Sequence, residues 1–204
     1  MPPPGAGLIV TPMNLTTRAK ALQELGFFPA NLPIADLVSR AETETGINPN
    51  DAPATAILLA AGRVLEISAD AATELEDYAA LLEKIAAFCN GAFTVANVHA
   101  ALTDSPQAYG DDEEPEGVEG VLLDFSLDGK KVRSELTNFD DLLDLSFLNE
   151  IEERLQEKGE PRRLCPLVEL MDDTARYVFI DPEKMEQAEL KEIIAAPDFE
   201  DAGE

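Results

Sequence analysis

Asp128-Gly129 sits between two apolar-alternating runs, Val121 to Leu127 and Lys130 to Leu136. A two-residue Asp-Gly connection accommodates positive φ at both positions, which is what a type I′ hairpin turn requires. The segment is therefore committed to an antiparallel hairpin, and the next elements of the chain must cover its apolar face. A helix is expected from Phe139 to Lys158, with Leu143, Phe147, Leu148, Ile151 and Leu155 inward and Gly159 as its stop. Leu164 to Leu170 and Ala175 to Ile180 form a second hairpin around Met171 to Thr174. Asp181-Pro182-Glu183 then opens a last helix, with Asp181 as N-cap, Pro182 at the first helical position and Glu183 complementing the dipole. The order β-β-α-β-β-α is most economically packed as one antiparallel sheet covered by two helices.

The first half reads as helix-rich with one or two strands. Asn14 to Leu25 places Leu15, Ala19, Leu22 and Leu25 on one stripe and stops at Gly26. A second helix starts at Pro33, with Ile34, Leu37, Val38 and Ala41 as its apolar face and Gly46 beyond it. Alanine content favours helix over Ala52 to Ala61, although Ile57-Leu58-Leu59 and Val64 to Ile67 could also pair as a hairpin. We expect helix there, followed by a strand at 63–67. Asp70 to Cys89 repeats Leu75, Tyr78, Leu82, Ile85 and Cys89 at helical spacing, and Asn90-Gly91 closes it. Phe93 to Leu102 alternates as a strand.

The fold class is therefore α+β: a helix-rich part at 1–102, an acidic linker or long loop at 103–117, an α+β part at 118–197 and an acidic tail at 198–204. Charge is distributed along the same division. Residues 104–204 hold 30 of the 41 acidic side chains and 10 of the 15 basic ones, within a net charge of −26. A surface this negative repels nucleic acid and anionic membrane. Disorder is not expected, because 45% of the residues are hydrophobic and recur periodically. No run approaches the 18 apolar residues of a membrane span. Met1 to Gly7 lacks the basic start of a secretory signal, so a cytoplasmic location is the expectation. Cys89 and Cys165 read as two buried, unlinked thiols.

Candidate functional residues are mostly carboxylates. The run Asp111-Asp112-Glu113-Glu114 lacks the alternating spacing that wraps calcium, so it reads as a solvated segment. Asp140 and Asp141 fit the start of the 139–158 helix, whereas Asp144 lies one turn further in and adds repulsion. With Asp124 and Glu135 of the hairpin they form either a negative patch suited to a basic protein or, as the simpler reading, an ordinary solvated face. Arg154, Lys158, Arg162 and Arg163 are the one basic cluster. They either bind a phosphate-like group or complement the C-terminus of that helix, and the second reading is simpler.

Nothing points to catalysis. His99, the single histidine, lies in an alternating strand without a nucleophile elbow. One histidine and two distant cysteines offer no zinc-chelating spacing, and no phosphate-binding glycine loop is present. No cofactor is expected. A carboxylate- or metal-dependent hydrolase is the alternative from the enzyme class, and a structural adaptor whose halves dock different proteins is another.

Leu142-Leu143-Asp144-Leu145-Ser146-Phe147-Leu148-Asn149, then Leu155-Gln156-Glu157-Lys158-Gly159, Pro161-Arg162-Arg163-Leu164 and Tyr177-Val178-Phe179-Ile180-Asp181-Pro182-Glu183 resemble a pattern in small bacterial proteins, some of which resemble immunity proteins of polymorphic toxin systems. The resemblance covers about residues 139–190. It implies a non-enzymatic protein that neutralises a toxin domain by tight binding, with the carboxylates at 111–114, 140, 141 and 144 as steering charges.

Overall fold

The computed structural model describes residues 13–45, 53–72, 74–103, 119–138, 143–168 and 173–195. They fall into two compact units, one from residues 1–63 with 186–204 and one from Val64 to Met185. The 103–117 stretch is not where the units divide.

The first unit is helical. In α1 (Leu15–Glu24) the buried Leu15, Ala19 and Leu22 keep the i, i+4, i+7 spacing. Asn14 Oδ1 accepts from Thr17 N at 2.9 Å, capping the start. Gly26, at φ 84°, lets the chain leave the helix, and Phe27 and Phe28 beyond it are buried. Gln23 Nε2 donates to the carbonyls of Pro29 and Leu32, which fixes the turn into α2 (Ile34–Thr45). Leu37 and Ala41 are the buried residues of α2 among those described. The ambiguous segment is α3 (Ala54–Ala60), in which all but Leu59 are buried; a helix this rich in alanine can be surrounded at close range. Among the described residues, Ala188, Ile193 and Ile194 are the buried apolar side chains that the C-terminal segment supplies to this unit.

The second unit contains β1 (Leu65–Ser68), α4 (Asp77–Phe88), β2 (Val95–Leu102), β3 (Glu119–Leu127), β4 (Lys130–Asn138), α5 (Leu148–Glu157), β5 (Arg163–Leu167), β6 (Thr174–Ile180) and the start of α6 (Pro182–Leu190). The expected single sheet is replaced by two antiparallel three-stranded sheets, ordered β1-β6-β5 and β2-β3-β4. Each predicted hairpin forms, β3-β4 and β5-β6, but each takes its third strand from before residue 103. The physical reason is that every hairpin leaves a second edge, and the two sheets turn their apolar faces into one core. That core joins Leu65 and Ile67 of β1, Tyr78, Leu82 and Ile85 of α4, Val121, Leu123, Phe125 and Leu127 of β3, and Ile151 and Leu155 of α5. Cys89 and Cys165 are buried and unlinked.

Two helices start later than their apolar spacing predicts. The helix expected from Phe139 begins at Leu148, because Asp144 holds the preceding segment in a turn: Oδ2 accepts from Thr137 N and Oδ1 from Ser146 N, both at 2.8 Å. Leu143 and Leu145 still pack on the core from that turn. The helix expected from Asp70 begins at Asp77, whose Oδ2 accepts from Glu74 N at 2.9 Å. Upstream, Ala69 N donates to Asp173 O, so that stretch serves the sheet. The alternation read over Phe93 to Leu102 breaks at Asn97, which sits at φ 53° in a bulge where the register shifts between Ala96 and His99.

Candidate functional site

Of the carboxylates singled out for a partner, Asp111, Asp112, Glu113, Glu114, Asp140 and Asp141 lie outside the described residues. Asp144 is placed, half-buried, with its two oxygens on the backbone amides of Thr137 and Ser146. It supports the end of β4 and does not project from a helix.

The hairpin turn organises the best-connected polar site of the second unit. Asp128 and Gly129 have φ of 49° and 82°, the left-handed values that the two-residue turn demands. This conformation aims the Asp128 carboxylate, 14% exposed, toward the α4–β2 connection and α5. Oδ1 accepts from Thr94 N at 2.9 Å and Thr94 Oγ1 at 3.1 Å. Oδ2 accepts from Arg154 Nε at 3.0 Å and Lys158 Nζ at 2.9 Å. Burial disfavours the charged form, but the bonds from Lys158, Thr94 and Arg154 outweigh it and hold the carboxyl at about 2. Lys158 Nζ also donates to Ala92 O at 2.5 Å, and Arg154 Nη1 to Glu157 Oε2 at 2.9 Å.

The rest of the basic cluster is likewise engaged. Arg162 forms a two-pronged pair with Glu160, at 2.7 and 3.0 Å, and its guanidinium lies 4.5 Å from the centre of the Phe179 ring. Arg163 reaches Glu152 at 3.4 Å and donates to the carbonyls of Glu160 and Arg162. Burial raises the Glu152 carboxyl, against the bond it accepts from Leu164 N at 2.8 Å. Arg154 and Lys158 stand in the last turn and at the C-cap of α5, where cations complement the dipole, and their side chains also fasten that helix to the turn, while Arg162 and Arg163 are held by Glu160 and Glu152.

The outer face of β2-β3-β4 carries the other polar array. The pairing sets His99 opposite Asp124 and Asp124 opposite Arg133, with Ser126 opposite Lys131 and Leu122 opposite Glu135. Arg133 donates to both Asp124 oxygens, at 2.8 and 2.9 Å, and this pairing holds the carboxyl below its usual range. A shallow cavity of about 400 Å³ lies here, lined in part by Asn97, Asp124, Ser126, Lys131 and Arg133. Asp124 thus contributes no free charge to the expected negative patch. His99 stands opposite this paired carboxylate in the strand register.

A second open cavity of about 360 Å³ lies between β1, the start of β6 and Leu143 and Leu145. Among the described residues, no cluster of three histidine, cysteine or acidic side chains could hold a metal. No helix among them is long and apolar enough to cross a membrane. The role of Asp128 was not legible in the sequence beyond its turn. The Asp124–Arg133 pair was missed, although a two-residue turn at 128–129 sets 124 opposite 133 and would have signalled it. Comparison with protein-family models, curated proteins and solved structures gives no match to this chain.

Proposed function

We propose that the chain is a non-enzymatic acidic binding protein that engages a basic protein partner, most concretely as an immunity-like inhibitor of a basic toxin or nuclease. The observation that carries this reading is the disposition of charge. The chain has a net charge of −26, and six of its cations, Arg133, Arg154, Lys158, Arg162, Arg163 and Arg176, are turned onto its own carboxylates or carbonyls. Acidic side chains outnumber basic ones 41 to 15, and the resulting negative field accelerates encounter with a basic surface. The resemblance read in residues 139–190, to small bacterial proteins some of which resemble immunity proteins, points the same way.

The steering charges in this reading are Asp111, Asp112, Glu113, Glu114, Asp140 and Asp141. Asp144 acts through the turn that it holds. Capture from a source-cell lysate at low salt, followed by elution with rising salt and identification of the protein released, supplies the partner. Its association rate is then measured against a variant with Asp140 and Asp141 changed to lysine, leaving Asp144 intact. The expected result is a slower on-rate with a flatter salt dependence. An unchanged on-rate overturns the role assigned to these carboxylates.

A further inference from the structure

Among the described residues, four other than glycine have a left-handed backbone: Asn90, Asn97, Asp128 and Glu192, at φ 52°, 53°, 49° and 55°. Asparagine and aspartate tolerate this conformation. Their short side chains also place a carbonyl carbon within reach of the next residue's backbone nitrogen. The three Asn and Asp positions differ in whether that nitrogen is free to attack.

Asn97 precedes Val98, whose branched side chain crowds the nitrogen. Asp128 precedes Gly129, but its oxygens are occupied by Thr94, Arg154 and Lys158, and an ionised carboxylate resists attack. Asn90 precedes Gly91 in the chain's one Asn-Gly pair. Ala92 N donates to Cys89 O at 3.2 Å, so Asn90 and Gly91, at φ 52° and 77°, are the central residues of a type I′ turn that closes α4. Such a turn leaves the Gly91 N–H outside its own hydrogen bond. Among the described residues nothing bonds that N–H or the Asn90 carboxamide, and both residues are exposed. No atom beyond its chain neighbours lies within 4 Å of where a Gly91 Cβ would stand, so the surroundings are open.

We propose that Asn90-Gly91 is a site of spontaneous modification in the folded protein, at which the Gly91 nitrogen attacks Asn90 Cγ and converts residue 90 to aspartate and isoaspartate through a succinimide. In the first step the nitrogen gives up its proton and bonds to Cγ, and the carboxamide nitrogen takes up a proton and leaves as ammonia. Solvent water then opens the ring. Cleavage between Cγ and the Gly91 nitrogen gives aspartate, and cleavage between the main-chain carbonyl carbon of residue 90 and that nitrogen gives isoaspartate. Because nucleophile and carbonyl belong to adjacent residues, the attack is unimolecular, which is one source of asparagine's thermal lability.

Either product adds a carboxylate at the C-terminal end of α4, where the helix dipole disfavours negative charge. Isoaspartate does more. Its main chain runs through the former side-chain CH2, so the turn between the buried Cys89 and Phe93 gains a backbone atom. Ala92 O, in the same turn, accepts from Lys158 Nζ, which also serves Asp128. The modification therefore loosens the connection from α4 to β2 and the Asp128 contacts with it. It is independent of the proposed partner function.

The test holds the folded full chain in mildly alkaline buffer at physiological temperature and samples it by peptide mass spectrometry, with fragmentation that separates aspartate from isoaspartate. Residue 90 is expected to convert ahead of every other asparagine, to both products, at a rate within about tenfold of that in the urea-unfolded chain. Asp128 is expected to stay unchanged in the folded chain. The isoaspartate form, separated by ion exchange, should melt at a lower temperature than an Asn90→Asp variant, which adds the charge without the extra backbone atom. Equal melting temperatures overturn the structural consequence assigned to isoaspartate. A residue 90 that stays asparagine while the unfolded chain converts, conversion to aspartate without isoaspartate, or conversion that starts at another asparagine overturns the proposal.

Discussion

At the scale of single residues, Asp128 ties together more of the second unit than any other polar side chain among the described residues. Its backbone makes the turn and its carboxylate receives four hydrogen bonds, from Thr94, Arg154 and Lys158. Asp128→Asn tests the charge separately from the conformation, because asparagine also tolerates left-handed backbone. Loss of the charge-assisted bonds should lower stability by about 1–2 kcal/mol in urea denaturation near neutral pH. The pH dependence has a definite sign. A carboxyl held at about 2 when folded, and near its ordinary value of about 3.9 when unfolded, stabilises the fold above that ordinary value. That contribution is lost as pH falls from about 4 to about 2. The gap between wild type and Asp128→Asn should therefore be widest above pH 4 and narrow across that interval; a constant gap would mean the carboxylate's charge is not what stabilises. The turn itself was readable from Asp-Gly between alternating runs. Its four-bond node was not, because Thr94 and Arg154 lie 34 and 26 residues away and only packing brings them near.

At the scale of elements, α5 shows how far periodicity carries and where it stops. Leu148, Ile151 and Leu155 are buried at helical spacing, as their positions predict. Ile151 is fully buried in the core shared by both sheets, so Ile151→Ala should leave a cavity and cost about 2–5 kcal/mol, measured by thermal or chemical unfolding. A cost below about 1 kcal/mol would mean the core closes around the gap. Leu143 and Phe147 also fit the helical stripe, yet Leu143 belongs to a turn, and Phe147 is buried at the helix's leading cap. Apolar periodicity records which side chains face the core; it does not record where a competing hydrogen bond, here from Thr137 N to Asp144, ends the helix. The same limit applies to β2, where the bulge at Asn97 leaves residues 95–102 strand-like while breaking their alternation. It applies again before α4, where Asp77 and the bond from Ala69 to Asp173 displace the expected first turns.

At the scale of the whole molecule, the acidic stretch near residues 103–117 joins neighbours in one sheet. Ala101 pairs with Leu122, Leu102 with Val121, and Thr103 N donates to Gly120 O at 2.8 Å. The second unit should accordingly survive a cut there: with a specific protease site placed between residues 104 and 118, the two fragments should co-elute under native conditions and separate only in denaturant. Separation without denaturant would show that β2 and β3 do not hold the unit together. By itself the sequence determined what is local. Helical stripes, the Asp-Gly turn, the Asn14 and Asp181 caps and an acidic surface arise from spacing and chemistry within a few residues, where chain connectivity already holds the participants close. Only the tertiary structure decided that β1 pairs with β6 and β2 with β3, that two sheets stand where one was expected, and that Arg176 meets Glu66 across 110 residues. Such pairings are chosen by which arrangement buries every apolar face at once while leaving no buried charge alone. That competition runs over the whole chain, and no window of sequence contains it.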